Sequence, residues 1–222
     1  MNGIFITFEG IEGCGKTTQA KLLAEELRIQ DCKVLFTREP GGPRISEKIR
    51  DILLNKEFTE MHRLTEVFLY MASRSQHTIE WILPALKKGI IVICDRYYDS
   101  TYAYQGAARE ISYKDIDFIN KIATGGLKPD ITFVLDLPVE IGLARVQNTV
   151  DPSKGIDRLE RENIKFHQKV REGYLELAKA EKDRIIVLDG QEKVEIIHRK
   201  IMIHISNLLN KLKFKRGKNH EK

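Results

Sequence analysis

Five short runs along the chain are apolar and rich in β-branched residues at nearly every position: residues 4–8, 34–37, 90–95, 131–136 and 185–189. Continuity, in place of polar–apolar alternation, predicts strands covered on both faces, as in parallel sheets. Between the runs the apolar positions take a helical period. Ala20, Leu23, Ala24 and Leu27 form one stripe, and Val194, Ile197, Ile201, Ile205, Leu208 and Leu212 form another. Strands alternating with helices predict an α/β fold, a doubly wound five-stranded parallel sheet with helices on both faces. Ligands bind beyond the carboxyl ends of the strands in such sheets. Four of the runs lead into Glu9, Arg38, Asp95 or Asp136, which places the functional edge.

No internal repeat, low-complexity linker or boundary divides the chain, so residues 1–210 are expected to form one domain. Residues 147–157, "QNTVDPSKGID", are rich in turn formers between two helical patterns. Asp157 and Glu160 have the spacing of a capping box at a helix start. Arg145, Lys154, Arg158 and Arg161 flank the stretch. An exposed connector would have a similar composition. Cations placed after the fourth strand, near a phosphate-binding edge, favour a small mobile lid over about residues 147–158.

Composition narrows the class. With 42% hydrophobic and 31% charged residues the chain reads as soluble and globular. No apolar run approaches the ~18 residues of a membrane span. The start, "MNGIFITFEG", lacks the basic flank and cleavage site of a signal peptide, so a cytoplasmic location is expected. Cys14, Cys32 and Cys94 show no C-x-x-C spacing, which argues against a disulfide framework or a zinc site. The net charge of +5 resides in residues 211–222, which hold six Lys or Arg and one Glu. The body is therefore neutral. A basic, solvated tail is expected, with no nucleic-acid face and no membrane contact.

Residues 10–17, Gly10-Ile11-Glu12-Gly13-Cys14-Gly15-Lys16-Thr17, fit G-x-x-x-x-G-K-[ST] between a predicted strand and a predicted helix. Backbone N–H groups there cradle a polyphosphate, Lys16 reaches its β- and γ-phosphates, Thr17 ligates Mg²⁺, and Thr18 continues the cradle. The run 90–95 delivers Asp95, a magnesium-associated acid. Asn120-Lys121 continues as Ile122-Ala123, so the N-K-x-D of GTPases is missing. A simple ATPase would leave three clusters unexplained: "REPGG" at 38–42, "YMASRSQH" at 70–77 and "DRYYDSTYAYQG" at 95–106. Their arginines suit phosphates and base edges, and their tyrosines suit a nucleobase. A second nucleotide is expected.

These clusters, with "FEGIEGCGKTTQAK" and "KPDITFVLDLPVEIGLAR", resemble bacterial-type thymidylate kinases from about residue 3 to residue 190, in order and spacing. The resemblance implies ATP-dependent, Mg²⁺-assisted phosphorylation of dTMP to dTDP by a homodimer. It implies that Arg96 holds the acceptor monophosphate, with Arg38, Glu39 and Pro40 lining the same pocket. Arg74 reads the thymine edge near Ser100, Thr101 and Gln105, and Tyr104 packs on the deoxyribose. Tyr70 stands where the family usually stacks thymine on Phe. Arg145 lies against the donor adenine, and Glu12 takes the 3′-hydroxyl or a metal-bound water. The family's R-G-x-x-D-R lid reads here "DPSKGIDR", so Lys154 or Arg158 supplies the lid cation. Residues 67–71 suit either a dimer interface or the monomer core. No general base is needed, because a phosphate monoester with a second pKa of about 6 is already anionic. Three rivals stay open at this point: a deoxynucleoside kinase using Glu12 or Glu39 as base, a nucleic-acid-binding P-loop module using the tail, and, more weakly because Lys16, Thr17 and Asp95 are intact, a non-catalytic nucleotide sensor.

Overall fold

The computed structural model describes residues 3–149 and 157–217. Its strands are β1 (Phe5–Glu9), β2 (Val34–Arg38), β3 (Ile91–Asp95), β4 (Ile131–Asp136) and β5 (Ile185–Asp189). Its helices are α1 (Lys16–Ile29), α2 (Arg44–Leu54), α3 (Arg63–His77), α4 (Leu83–Lys87), α5 (Tyr98–Thr101), α6 (Tyr113–Thr124), α7 (Val139–Thr149), α8 (Ile164–Ala180) and α9 (Val194–Gly217). A π-helical segment, Thr78–Ile82, joins α3 to α4, and a second, Tyr102–Ala108, continues α5.

The strands pair in the order β2-β3-β1-β4-β5, and every pairing is parallel. All residues of β1 and β3 are buried, as their unbroken apolar runs predict, whereas β5 at the edge leaves Val187 exposed. Successive side chains point to opposite faces. Ile6, Phe8, Ile93 and Phe133 share one core with Leu23 and Leu27 of α1 and Ile201 and Ile205 of α9. Phe5, Val92 and Cys94 share a second with Ile82, Leu86 and Tyr97. Each fully buried Leu or Ile contributes roughly 1.5–3 kcal/mol, so the two stripes fix which face each helix covers.

Register sets the functional edge. Arg38 and Phe8 both lie opposite Asp95, and Glu9 lies opposite Val134. Asp136 ends β4 on the same edge, where it is bound by Arg171 at 2.6 and 2.9 Å.

Two sequence expectations change. The reciprocal bonds of a capping box do form, with Glu160 N donating to Asp157 Oδ1 and Asp157 N to Glu160 Oε2, both at 2.9 Å. They close a turn only, because α8 starts at Ile164, where Asn163 caps by accepting from Phe166 N at 3.0 Å. The last helix runs on into the basic stretch as far as Gly217. Close packing carries α8 to the site: a Cβ on Gly173 would sit 2.7 Å from Ala107 Cβ, so glycine lets α8 press against Tyr102–Ala108.

Candidate active site

The loop after β1 turns through left-handed backbone at Gly13 (φ 71°) and Gly15 (φ 99°). A Cβ at Gly13 would lie 2.2 Å from the Gly142 carbonyl oxygen, so no side chain fits there. Gly15 caps α1, whose first N–H groups and positive dipole end face the loop. Lys16 is buried and its Nζ donates to Ile11 O at 2.7 Å, with Cys14 Sγ at 3.7 Å. The Thr17 hydroxyl donates to Asp95 Oδ2. Hydroxyl and carboxylate oxygens form the hard donor set that Mg²⁺ takes from protein, leaving its other positions to phosphate and water. No group of three metal-ligating side chains gathers among the described residues, and an ion held mainly by phosphates needs none.

A cavity of about 500 Å³ opens beside this loop, lined by residues 13–19 together with Arg145, Gly190, Glu192, Val194 and Ile197. Arg145 Nη1 reaches Gly13 O and Gly190 O, each at 3.3 Å, which fixes the guanidinium at its mouth. Gly10 and Ile11 stay behind the loop: Gly10 presents its carbonyl to Arg96, and Ile11 buries its side chain in the core.

A second cavity, about 310 Å³, gathers every acceptor residue expected from sequence: Glu12, Arg38, Glu39, Pro40, Tyr70, Arg74, Arg96, Ser100, Thr101, Tyr104 and Gln105. Arg96 stands at its centre, a non-glycine residue at φ 70°. Such backbone costs about 1–2 kcal/mol and persists only where neighbours hold it. Here the guanidinium donates to Gly10 O at 3.0 Å, Tyr174 OH at 3.1 Å, Glu12 Oε1 at 2.7 Å and Tyr104 OH at 3.0 Å. Arg74 is buried and nearly saturated, donating to Glu39 (2.7 Å), Thr101 (2.6 Å), Asn120 (2.8 Å) and Tyr97 O (2.9 Å). Glu39 is held from its other side by His77 Nδ1 at 3.1 Å. Gln105 is oriented by donating to Glu66 at 2.9 Å, while half-exposed Arg38 bonds Pro40 O and Glu47.

The two carboxyls flanking the loop behave oppositely. Burial raises Glu12, but Arg96, His167, Lys16 and Tyr104 outweigh it and hold the group well below the usual carboxylate range. Glu9 accepts from Tyr97 N at 2.8 Å, Ser100 Oγ at 2.6 Å and Tyr174 OH at 2.7 Å. Burial, then the charge of Asp99, push it up to about 7 against the pulls of Arg96, Ser100 and Tyr174. A carboxyl raised above its unfolded value of 4.5 contributes stability that is complete below that value and lost as pH rises through 7. Denaturant titrations between pH of about 5 and about 8 should therefore show stability falling with pH. Glu9→Gln, always neutral, should flatten that slope by up to about 3 kcal/mol; an unaltered slope would mean Glu9 does not titrate there.

Arg158 is one of the two residues expected to supply the lid cation. Its guanidinium lies 2.7 Å from Glu66 Oε2, its Nε donates to Leu53 O at 3.0 Å, and the side chain is buried. The structure thus brings it to Glu66, the carboxylate that also orients Gln105. Lys154 lies outside the described residues. Sequence reasoning placed Glu9 at the functional edge without a role and passed over Glu66, His167 and Tyr174; the four reach the site from β1, α3 and α8. No local motif marks them, because their partners are 39 to 165 residues away.

A sequence profile described as thymidylate kinase matches residues 8–201. A thymidylate kinase of Pelobacter propionicus is 48% identical over 211 residues, covering 94% of this chain and 96% of its own length. One of Caldanaerobacter subterraneus subsp. tengcongensis is 47% identical over 209 residues, 94% of this chain and 98% of its own. A crystal structure of thymidylate kinase from Ehrlichia chaffeensis superposes with a TM-score of 0.73 at 33% identity, over 92% of this chain and 99% of that one. Phosphate loop, paired cavities and whole-length similarity agree: this chain belongs to the thymidylate kinase family.

Proposed function

We propose that the chain transfers the γ-phosphoryl group of ATP to dTMP, giving dTDP. The observation that carries this reading is the junction of the two cavities, which share Gly13, Lys16 and Thr17. A donor nucleotide in one and an acceptor in the other would meet in line at Lys16. Lys16 neutralises charge on the β- and γ-phosphates, Thr17 and Asp95 would hold Mg²⁺, and Arg96 orients the acceptor phosphate. Bound there, Mg²⁺ supplies further neutralisation of the transferring group. Arg145 lies along the donor adenine, Tyr70 faces thymine, and the remaining Arg74 N–H meets the base edge. Tyr104 packs on the deoxyribose, and Glu12 takes its 3′-hydroxyl.

A deoxynucleoside kinase would need a free base. Both candidates are engaged: Glu12 by Arg96 and Tyr104, and Glu39 by Arg74 and His77. An anionic monophosphate needs none. The deciding assay offers thymidine and a panel of nucleoside monophosphates with Mg-ATP, and ATP consumption with thymidine but not dTMP would reverse the reading.

With Arg158 committed to Glu66, we assign the lid cation to Lys154. Lys154→Ala should lower kcat about a hundredfold at unchanged Tm. Arg158→Ala should leave turnover near normal and cost only about 1–2 kcal/mol of stability, because Arg109 and Gln105 still hold Glu66. The opposite pattern would exchange the two roles.

A homodimer fits the exposed Leu64 and Phe68 of α3 and Phe118 and Ile122 of α6, helices that pack on each other. Val67 and Met71 of the predicted segment go instead to the monomer core, with Ile116 and Ala123. Sedimentation as a monomer at micromolar concentration would refute the dimer. No helix among the described residues is long and apolar enough to cross a membrane, and the cytoplasm is the compartment that fits an enzyme of nucleotide supply. Cell fractionation that recovers the protein with membranes would refute it.

A further inference from the structure

His167 of α8 is 1% exposed, yet neither ring nitrogen has a hydrogen-bond partner. A buried polar group left unpaired is costly and calls for explanation. Its Nδ1 stands 3.6 Å from Glu12 Oε2, just beyond hydrogen-bond reach. Nothing in the phosphate chemistry above uses it.

The same carboxylate is held by Arg96 at 2.7 Å and by the Tyr104 hydroxyl at 2.6 and 2.8 Å, with Lys16 through its charge and His167 across 3.6 Å adding their pulls. Arg96 also binds Gly10 O and Tyr174 OH through Nη1 and Tyr104 OH through Nη2, so both terminal nitrogens of its fork are engaged before any acceptor arrives. A phosphate binding to Arg96 competes for the guanidinium with Glu12, a second anion. Glu12 must then give up part of its strongest contact, and a carboxylate cannot stay charged and buried without a substitute donor.

We infer that His167 is that substitute, a positioning residue whose Nδ1–H closes on Glu12 when the acceptor phosphate takes Arg96. The ring then keeps the carboxylate aimed at the sugar. This rests on the reading that Arg96 binds the acceptor phosphate and Glu12 its 3′-hydroxyl. Phe166, which packs its ring 6.2 Å from that of Tyr104, anchors this turn of α8 so that only a small approach is needed.

The test compares wild type, His167→Phe and His167→Asn in steady-state turnover with dTMP and with its 3′-deoxy counterpart at saturating ATP. Phe keeps the ring without the N–H, whereas Asn keeps an N–H near the Nδ1 position. His167→Phe raises KM for dTMP about tenfold, leaves KM for ATP unchanged, and His167→Asn recovers most of the loss. With the 3′-deoxy acceptor the three proteins share one KM. An equal rise with both acceptors, or none with dTMP, assigns His167 to packing and overturns the inference. Wild type that treats the two acceptors alike overturns the Glu12 sugar contact, and the inference with it. Wild type that separates them beside an unaffected Phe variant overturns the inference alone. Nitrogen NMR of the wild-type imidazole reads the bond even if the Phe variant does not fold. The His167 signal moves on adding dTMP, and a signal that stays in place refutes the proposal.

Discussion

Lys16→Ala lowers kcat by about a thousandfold while the protein unfolds close to the wild-type temperature. The side chain is buried at the point where the two cavities meet, and no other described cation lines both of them. Among the described residues its ammonium bonds only Ile11 O as an oxygen acceptor, so truncation removes one hydrogen bond, and Glu12, which Lys16 also steadies through its charge, keeps Arg96 as its main counter-charge. The stability cost is therefore about 1 kcal/mol. Charge lost from the transferring group has no such replacement, because the loop's N–H groups carry only partial charges. Turnover with ATP and dTMP, paired with a thermal melt, checks both halves. Near-normal turnover would remove Lys16 from the chemistry, and a collapsed melt would make its role structural.

Arg96→Ala has the second large effect, and it strikes activity and stability together. Loss of the fork proposed to orient the acceptor phosphate should lower kcat/KM for dTMP by about a thousandfold. Glu12, only partly exposed, is also left beside Tyr104 without its main counter-charge, which costs about 3 kcal/mol near neutral pH. The sign with pH follows from the depressed carboxyl. Wild-type stability from Glu12 is present above its unfolded value of 4.5 and is lost as pH falls through its lower folded value. In the variant that contribution disappears, so the deficit against wild type shrinks on acidification. Backbone supplies a control. Because residue 96 sits at φ 70°, Arg96→Gly should be about 1 kcal/mol more stable than Arg96→Ala and no more active. Equal stability of the two would show that the positive φ relaxes once the guanidinium is gone.

Much of this architecture is legible in the chain. The five apolar runs fall within one residue of the five strands, because burial on both faces forbids polar interruption. The phosphate loop is equally legible, since its glycines, lysine and threonine act through backbone geometry over eight consecutive residues. The tyrosine-rich stretch 95–106 is only half legible. Arg96, Ser100, Thr101, Tyr104 and Gln105 face the acceptor cavity, while Tyr97, Tyr98 and Asp99 turn to the second core. There Asp99 is buried against Arg184 at 2.8 Å. Composition marks the whole stretch as functional; helical periodicity and the sheet behind it divide the stretch in two.

Local signals, then, determine strands, phosphate loop and second-nucleotide clusters, because each depends on residues a few positions apart. Tertiary structure alone decides which charges meet. It gives Arg158 to Glu66, sets Glu9 among Ser100, Tyr174 and Tyr97, and brings His167 to within 3.6 Å of Glu12. A carboxyl's chemistry depends on burial and on partners within a few ångströms, and those partners come from strands and helices far apart in the chain. Glu9 and Glu12 lie three residues apart, yet one is pushed up to about 7 and the other held far down. Neither shift is written in the residues around them.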